Sequence, residues 1–198
     1  MKKITLKRIS LFLMNSIFKI SSHINPMPRP SIEIVKQTMK KDIIVVEIGT
    51  FSGFNALAIL NNLPVKKMYI IDPYENYTDN EEFHVNGDKI LTEAKQRLKK
   101  HIDKIVFIRK YSEDAMGDIE NADYIYIDGN HDYEFVKKDL ELYYKKLKPG
   151  GILAGHDFDA GSTGVCKATI EFAEKNKLKL HAKVFSLDNN DWWLIKNE

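Results

Sequence analysis

The sequence predicts a doubly wound α/β fold: a mostly parallel seven-stranded sheet with an antiparallel last strand and helices on both faces. Three observations carry this. From residue 42 onward, short apolar runs rich in β-branched residues alternate with helical patterns. That alternation implies right-handed βαβ crossovers and hence parallel strands. Two strand-like runs then follow one another at the end, which makes the final pair a hairpin.

Taken in order, "IIVVEIG" reads as a buried strand and "GFNALAILNNL" as the helix after it. "KMYIID" is a second strand ending in Asp72, and "GDKILTEAKQRLKKHI" spaces Ile90, Leu91, Ala94 and Leu98 as one helical face. "KIVFIRK" is a third strand. "SEDAMGDI" is a short helix with Ser112 as its cap and acids in its first turn. "ADYIYIDG", "DYEFVKKDLELYYKKLK" and "GGILAGHDF" give strand, helix and strand, the lysines of the helix forming a solvated face. "STGVCKATIEFAEKN" is the last helix, and "KLHAKVFSL" and "NDWWLIK" the closing strands, with Trp192 and Trp193 on opposite faces.

With 198 residues, 43% hydrophobic and 29% charged, the composition is that of a soluble globular domain. A net charge of +2 is too small to argue for nucleic acid as a partner. The lone Cys166 excludes an internal disulfide, no Cys/His cluster points to zinc, and a cytoplasmic location is expected. Residues 1–32 hold Lys2, Lys3, Lys7, Arg8, Lys19 and Arg29 and no acid. Within them, "ISLFLMNSIFKI" is interrupted by Asn15 and Ser16 and is too short to span a bilayer. Residues 1–30 are therefore expected to be a basic, apolar helix followed by the Pro-rich linker "NPMPRP", and residues 31–198 the main domain. The helix is expected to pack on the domain or on a second subunit of a homo-oligomer, with contact to a membrane surface through residues 1–20 as the alternative.

The stretch "VVEIGTFSGFNALAIL" places Gly49 and Gly53 where the first strand turns into a helix, just after Glu47. In doubly wound sheets ligands bind beyond the carboxyl ends of the strands. Glycine permits both a tight turn and close approach of backbone to a ligand. A dinucleotide would want G-x-G-x-x-G, but here the sequence is G-T-F-S-G, with bulky Phe51. Glu47 would repel a pyrophosphate and attract an ammonium group. These features favour S-adenosylmethionine, which carries a sulfonium and an ammonium and no phosphate. Asp72, 23 residues after Gly49, is placed to accept ribose hydroxyls.

The motifs "VEIGTFSGFNAL", "IDPY" and "YIDGNHDYEFVKKDLELYYKKLKPGGILAGHDF" resemble those of class I S-adenosylmethionine-dependent methyltransferases, whose fold is Rossmann-like. More narrowly, they are similar to the small O-methyltransferases related to the catechol and caffeoyl-CoA enzymes, over about residues 28–196. The resemblance implies that Glu47, Gly49, Thr50, Phe51, Ser52 and Gly53 line the methionine part of the cofactor. It implies that Asp72 and Pro73 hold the ribose, that Ser112 and Glu113 flank the adenine, and that Asp128 closes the cofactor site.

At the far strand tips, Asp128 ends the fourth strand and His156 and Asp157 the fifth. Adjacent parallel strands lie about 4.8 Å apart, so these groups can converge. Oxygen-rich ligands would suit Mg²⁺ or Mn²⁺, the imidazole favouring Mn²⁺. In the resembling enzymes the fifth-strand pair reads D-D, E-D or D-N where this chain has H-D. His156 is thus open to three roles: metal ligand, base or hydrogen-bonding partner. His131, three residues past Asp128, stands where those enzymes carry a lysine base, and a neutral imidazole suits deprotonation of a hydroxyl. The expected acceptor is a hydroxylated small molecule, a sugar, nucleotide-sugar or phenolic. A non-catalytic cofactor-binding module is the alternative, and the absence of an N/D-P-P-Y/F motif argues against nucleic acid. Acceptor choice is expected to lie in residues 1–30, in the 74–88 insert with His84, and in the 157–164 loop.

Overall fold

Alternation along each strand builds the molecule outward from its first strand. β1 (Ile43–Ile48) sends Val46 and Ile48 into one core and Ile43 and Val45 into the other, so it is covered on both faces. In the computed structural model, which describes residues 28–75, 86–184 and 190–197, β1 lies between β2 (Val65–Ile71) and β4 (Ala122–Ile127), parallel to both. β3 (Ile105–Ile108) extends the sheet beyond β2, and β5 (Leu147–Gly155) beyond β4. β7 (Asn190–Ile195) pairs antiparallel with β5 and with β6 (His181–Val184). The order is β3-β2-β1-β4-β5-β7-β6, with the winding reversing between β1 and β4. This is the seven-stranded, doubly wound sheet that the pattern predicts.

One face is covered by α1 (Pro30–Thr38), through Ile32 and Val35, and α2 (Phe54–Asn62), with α3 (Gly87–Arg97) beyond. The other is covered by α4 (Tyr133–Lys146) and α5 (Thr163–Lys175), whose Val136, Leu140, Tyr143, Val165 and Phe172 meet Val46, Ile125 and Leu153. Lys137, Lys138 and Lys145 stand on the exposed side of α4, as its pattern requires.

The structure departs from the sequence reading in two places. Pro30 does not end a linker: it occupies the first turn of α1, where its missing N–H is not needed. Ser112 caps no helix, because Ser112–Asp114 is a single 3-10 turn and the Ser112 hydroxyl donates instead to the buried carboxylate of Asp139. The two tryptophans lie in opposite cores, as the alternation predicts: Trp192 on the α5 side, where it also lines the small cavity beside His131 and His156, and Trp193 on the other, stacked on His181 at 5.4 Å. The expected N-terminal helix and His84 fall outside the described residues. Among the described residues no helix is long and apolar enough to cross a membrane.

Candidate active site

Backbone hydrogen bonds carry the ladder one residue past each strand and fix the tips in register. Asp72 N–H donates to Ile108 (3.2 Å), Gly49 N–H to Ile71 (2.9 Å), Asp128 N–H to Ile48 (2.8 Å) and His156 N–H to Ile127 (3.3 Å). The four residues at the switch point are therefore presented by the sheet itself and not by loops.

On the β1 side, Glu47 is 1% exposed. Its two oxygens accept from the Thr50 hydroxyl (2.7 Å) and the Asn55 amide (2.8 Å). Burial pushes its pKa up to about 7, against the pull of those two donors. The glycines of the turn both have positive φ, 79° at Gly49 and 82° at Gly53, but their neighbours differ. A Cβ on Gly49 would lie 2.1 Å from the carbonyl oxygen of Asp128, whereas one on Gly53 would meet the Leu98 side chain at 3.2 Å. The close approach that Gly49 permits is thus to the tip of β4. Phe51, also at positive φ, is 47% exposed beside the turn.

Asp72 is as buried as Glu47, and its carboxylate joins two loops. Oδ2 accepts from the Phe51 N–H and Oδ1 from the Tyr74 N–H, both at 2.8 Å. Arginines tie down the same backbone: Arg97 donates to the Ser52 carbonyl, and Arg109 to those of Pro73 (3.2 Å) and Tyr74 (2.8 Å). Ser112 and Glu113 are both engaged by α4, Ser112 with Asp139 and Glu113 with Lys138. The Tyr143 hydroxyl also donates to the Ser112 carbonyl (2.7 Å).

The far tips converge. Asp128 Oδ1 is 3.8 Å from His131 Nε2 and 4.0 Å from His156 Nδ1. Asp157 links the two imidazoles, Oδ2 at 3.1 Å from His131 and Oδ1 at 2.8 Å from His156. The bond from His156 holds the Asp157 carboxyl below its usual range. Burial opposes charge on His156, but the Asp157 bond outweighs it and the imidazole pKa lies above its usual value. His131 is 51% exposed, whereas His156 Nε2 is buried without a hydrogen-bond partner among the described residues. Asp128, His131 and Asp157 each offer an atom, all within 4.8 Å of one another. This span fits one cation at ordinary ligand distances. His131 and the two carboxylates offer atoms for such a cation, and His156 joins the group through its Nδ1 contact with Asp157.

Sequence reasoning missed a buried polar network behind Asp128. Tyr124, Tyr126 and Asp128 alternate onto the α1 face of β4, and Asp191, fully buried on β7, lies on the same side. Asp191 Oδ1 accepts from the Tyr126 hydroxyl (2.9 Å), and Oδ2 from the Ser31 N–H (3.1 Å) and hydroxyl. Ser31 Oγ also meets Tyr124 OH at 2.9 Å. Arg29 completes it, 3.4 Å from Asp128 and 3.9 Å from Asp191. The available signal was an acid inside the apolar run "NDWWLIK", since a charge in a strand bound for the core must have a partner. Replacing Ser31 with Ala is expected to cost about 1.5–3 kcal/mol, because it removes a donor to a buried carboxylate. Urea unfolding would show this as a lower midpoint at unchanged slope.

A sheet of this order, with a glycine turn after β1, an acid at the tip of β2 and a polar cluster beyond β4 and β5, defines the class I S-adenosylmethionine-dependent methyltransferase fold. The Methyltransf_24 family model, a methyltransferase domain, matches residues 46–158. The match spans more than half of the chain, and the chain belongs to this family. The uncharacterized protein R132 of Acanthamoeba polyphaga mimivirus is 30% identical over 128 residues, 60% of this chain and 53% of that protein. The chain thus spans about half the length of this relative. A proposed caffeoyl-CoA O-methyltransferase from Staphylococcus aureus superposes with a TM-score of 0.62 at 18% identity, over 96% of this chain and 98% of that one. SMU.1697c from Streptococcus mutans, a proposed methyltransferase solved with SAH, gives 0.63 at 16% identity, over 86% and 99%. These two likenesses are of fold.

Proposed function

We propose that the chain is an S-adenosylmethionine-dependent O-methyltransferase acting on a hydroxyl of a small molecule, a sugar, nucleotide-sugar or phenolic. The observation that supports this most is the convergence of Asp128, His131, His156 and Asp157 at the strand tips, one strand from the Glu47–Gly53 turn. Bound in that turn, S-adenosylmethionine would supply an activated methyl group on its sulfonium. Glu47 would face the ammonium group, Asp72 and Pro73 the ribose, and Ser112 and Glu113 the adenine.

His131 is the accessible imidazole of the cluster; with Nε2 held by Asp157, it takes the hydroxyl proton on Nδ1 as the oxygen attacks the methyl carbon. The O–C bond forms as the S–C bond breaks, leaving a methyl ether, S-adenosylhomocysteine and a proton on the protein. Asp157 orients His131, and His156 in turn fixes Asp157 through Nδ1. Asp128, His131 and Asp157 are the residues that would hold a divalent cation, Mn²⁺ or Mg²⁺, which would lower the pKa of the hydroxyl; with His131 engaged as its ligand, the proton would pass to solvent water. The arrangement does its work chiefly by positioning.

The test is methyl transfer from labelled cofactor to a panel of hydroxylated acceptors, with Mn²⁺, with Mg²⁺ and with chelator. Replacing Asp128 with Ala is expected to lower transfer by about 10²-fold or more, the usual scale for a group that places or deprotonates the acceptor, while calorimetry shows cofactor binding unchanged. Retained transfer in that variant would remove the strand-tip cluster from the mechanism.

A further inference from the structure

A carboxylate at a strand tip between two imidazoles is free to turn about its last torsion, whose well is broad. Asp128 is not left free. Its two oxygens face different groups: Oδ2 the Arg29 guanidinium at 3.4 Å, Oδ1 the two histidines. On its other side Arg29 is held by charge: Nη1 makes an ion pair with Asp191 at 3.9 Å, too long for a hydrogen bond. Asp191 has both oxygens occupied by neutral donors, Tyr126 and Ser31, so the Arg29 guanidinium at 3.9 Å is the cation that balances its buried charge. The Tyr126 ring lies 5.6 Å from the guanidinium carbon. Ser31, two residues on, is clamped to the same Asp191. The guanidinium fork faces the two carboxylates with different nitrogens, Nη2 toward Asp128 and Nη1 toward Asp191.

We infer that Arg29 is a positioning residue of the strand-tip centre: anchored on Asp191, it takes one oxygen of Asp128 and leaves the other as the single oxygen offered to His131, His156 and whatever binds between them. This rests on the reading of Asp128 as part of the reacting centre. It carries two consequences. Asp128 is restricted to one-point contact with a cation, and that cation binds beside a fixed positive charge, which weakens it.

The test compares the full-length chain with Arg29→Gln by crystal structure and by Mn²⁺ titration followed by electron paramagnetic resonance. In the variant the Asp128 carboxylate is expected to turn so that both oxygens face the histidines. Mn²⁺ is expected to bind about tenfold more tightly, since a neighbouring like charge is gone. A merely structural arginine would give neither effect, because its loss loosens a site and does not improve it. Should Arg29→Gln fail to fold, Arg29→Met carries the crystallographic test: it keeps the apolar stem but has neither charge nor donor for Asp128, so the same turn is expected. An Asp128 carboxylate unmoved in the variant that folds overturns the inference. If neither chain binds Mn²⁺, the metal reading of the function falls, and the orientation of Asp128 alone decides the role of Arg29.

Discussion

Replacing Glu47 with Gln is expected to make the ligand-free chain more stable at pH 8 and to cost it about a hundredfold in S-adenosylmethionine affinity, the scale of a lost charge-assisted pair. The first effect follows from burial. Glu47 ionises near 4.5 when unfolded and at about 7 in the folded chain. Between those values the folded state holds a proton that the unfolded state has released. The stability this gives is fully present below the unfolded value and is lost as pH rises through about 7. Above that the folded chain bears a buried carboxylate at a cost of about 3 kcal/mol. Glutamine has no charge to bury but offers one acceptor oxygen where Glu47 uses two, so roughly half of this is recovered, or about 3–6 °C in the unfolding midpoint. Below about pH 5 the two chains should converge. The second effect follows from the ammonium that Glu47 is proposed to face: wild-type affinity should fall as pH drops below 7, and that of the variant should be flat there. Thermal unfolding and calorimetry across pH 5 to 8.5 measure both. A variant that gains stability and binds the cofactor as well as wild type would leave Glu47 only the task of tying Thr50 and Asn55 to the turn.

The second large effect is at Gly49. Alanine there would place its Cβ 2.1 Å from the Asp128 carbonyl oxygen and 2.5 Å from Gly129 Cα, at a φ of 79°. Both neighbours are backbone held by the sheet and neither can give way. A loss of at least 3–4 kcal/mol, or no folded protein at all, is the expected outcome. At Gly53 the φ is similar, but the neighbour is the end of the Leu98 side chain at 3.2 Å. The matching alanine there should cost only about 1–2 kcal/mol. Chemical denaturation of the two variants side by side separates strain from collision, and equal costs would refute the distinction.

The strands were legible because each alternates or runs apolar within a bounded length, and the winding reverses beside the strand that carries the glycine turn. The paired tips were legible for the same reason: Asp128, His156 and Asp157 end strands whose limits are clear. What escaped was set by contacts distant in sequence. The dipeptides around Pro28 and Pro30 read as breakers, although Pro30 begins a helix. Ser112 looks like a cap until Asp139, from a helix 27 residues away, takes its hydroxyl. Arg29 among prolines gives no sign that it will meet Asp128, 99 residues on. The sequence points the glycine turn toward a ligand, whereas Gly49 is required first by the backbone at Asp128.

That last contact joins the two halves of the site. The turn after β1 and the tip of β4 touch main chain to main chain, with no side chain between them to absorb a displacement. Anything that widens the turn would push the carbonyl of Asp128, and a displacement of Asp128 would be felt in the turn by the same contact, so that the two elements can only move together.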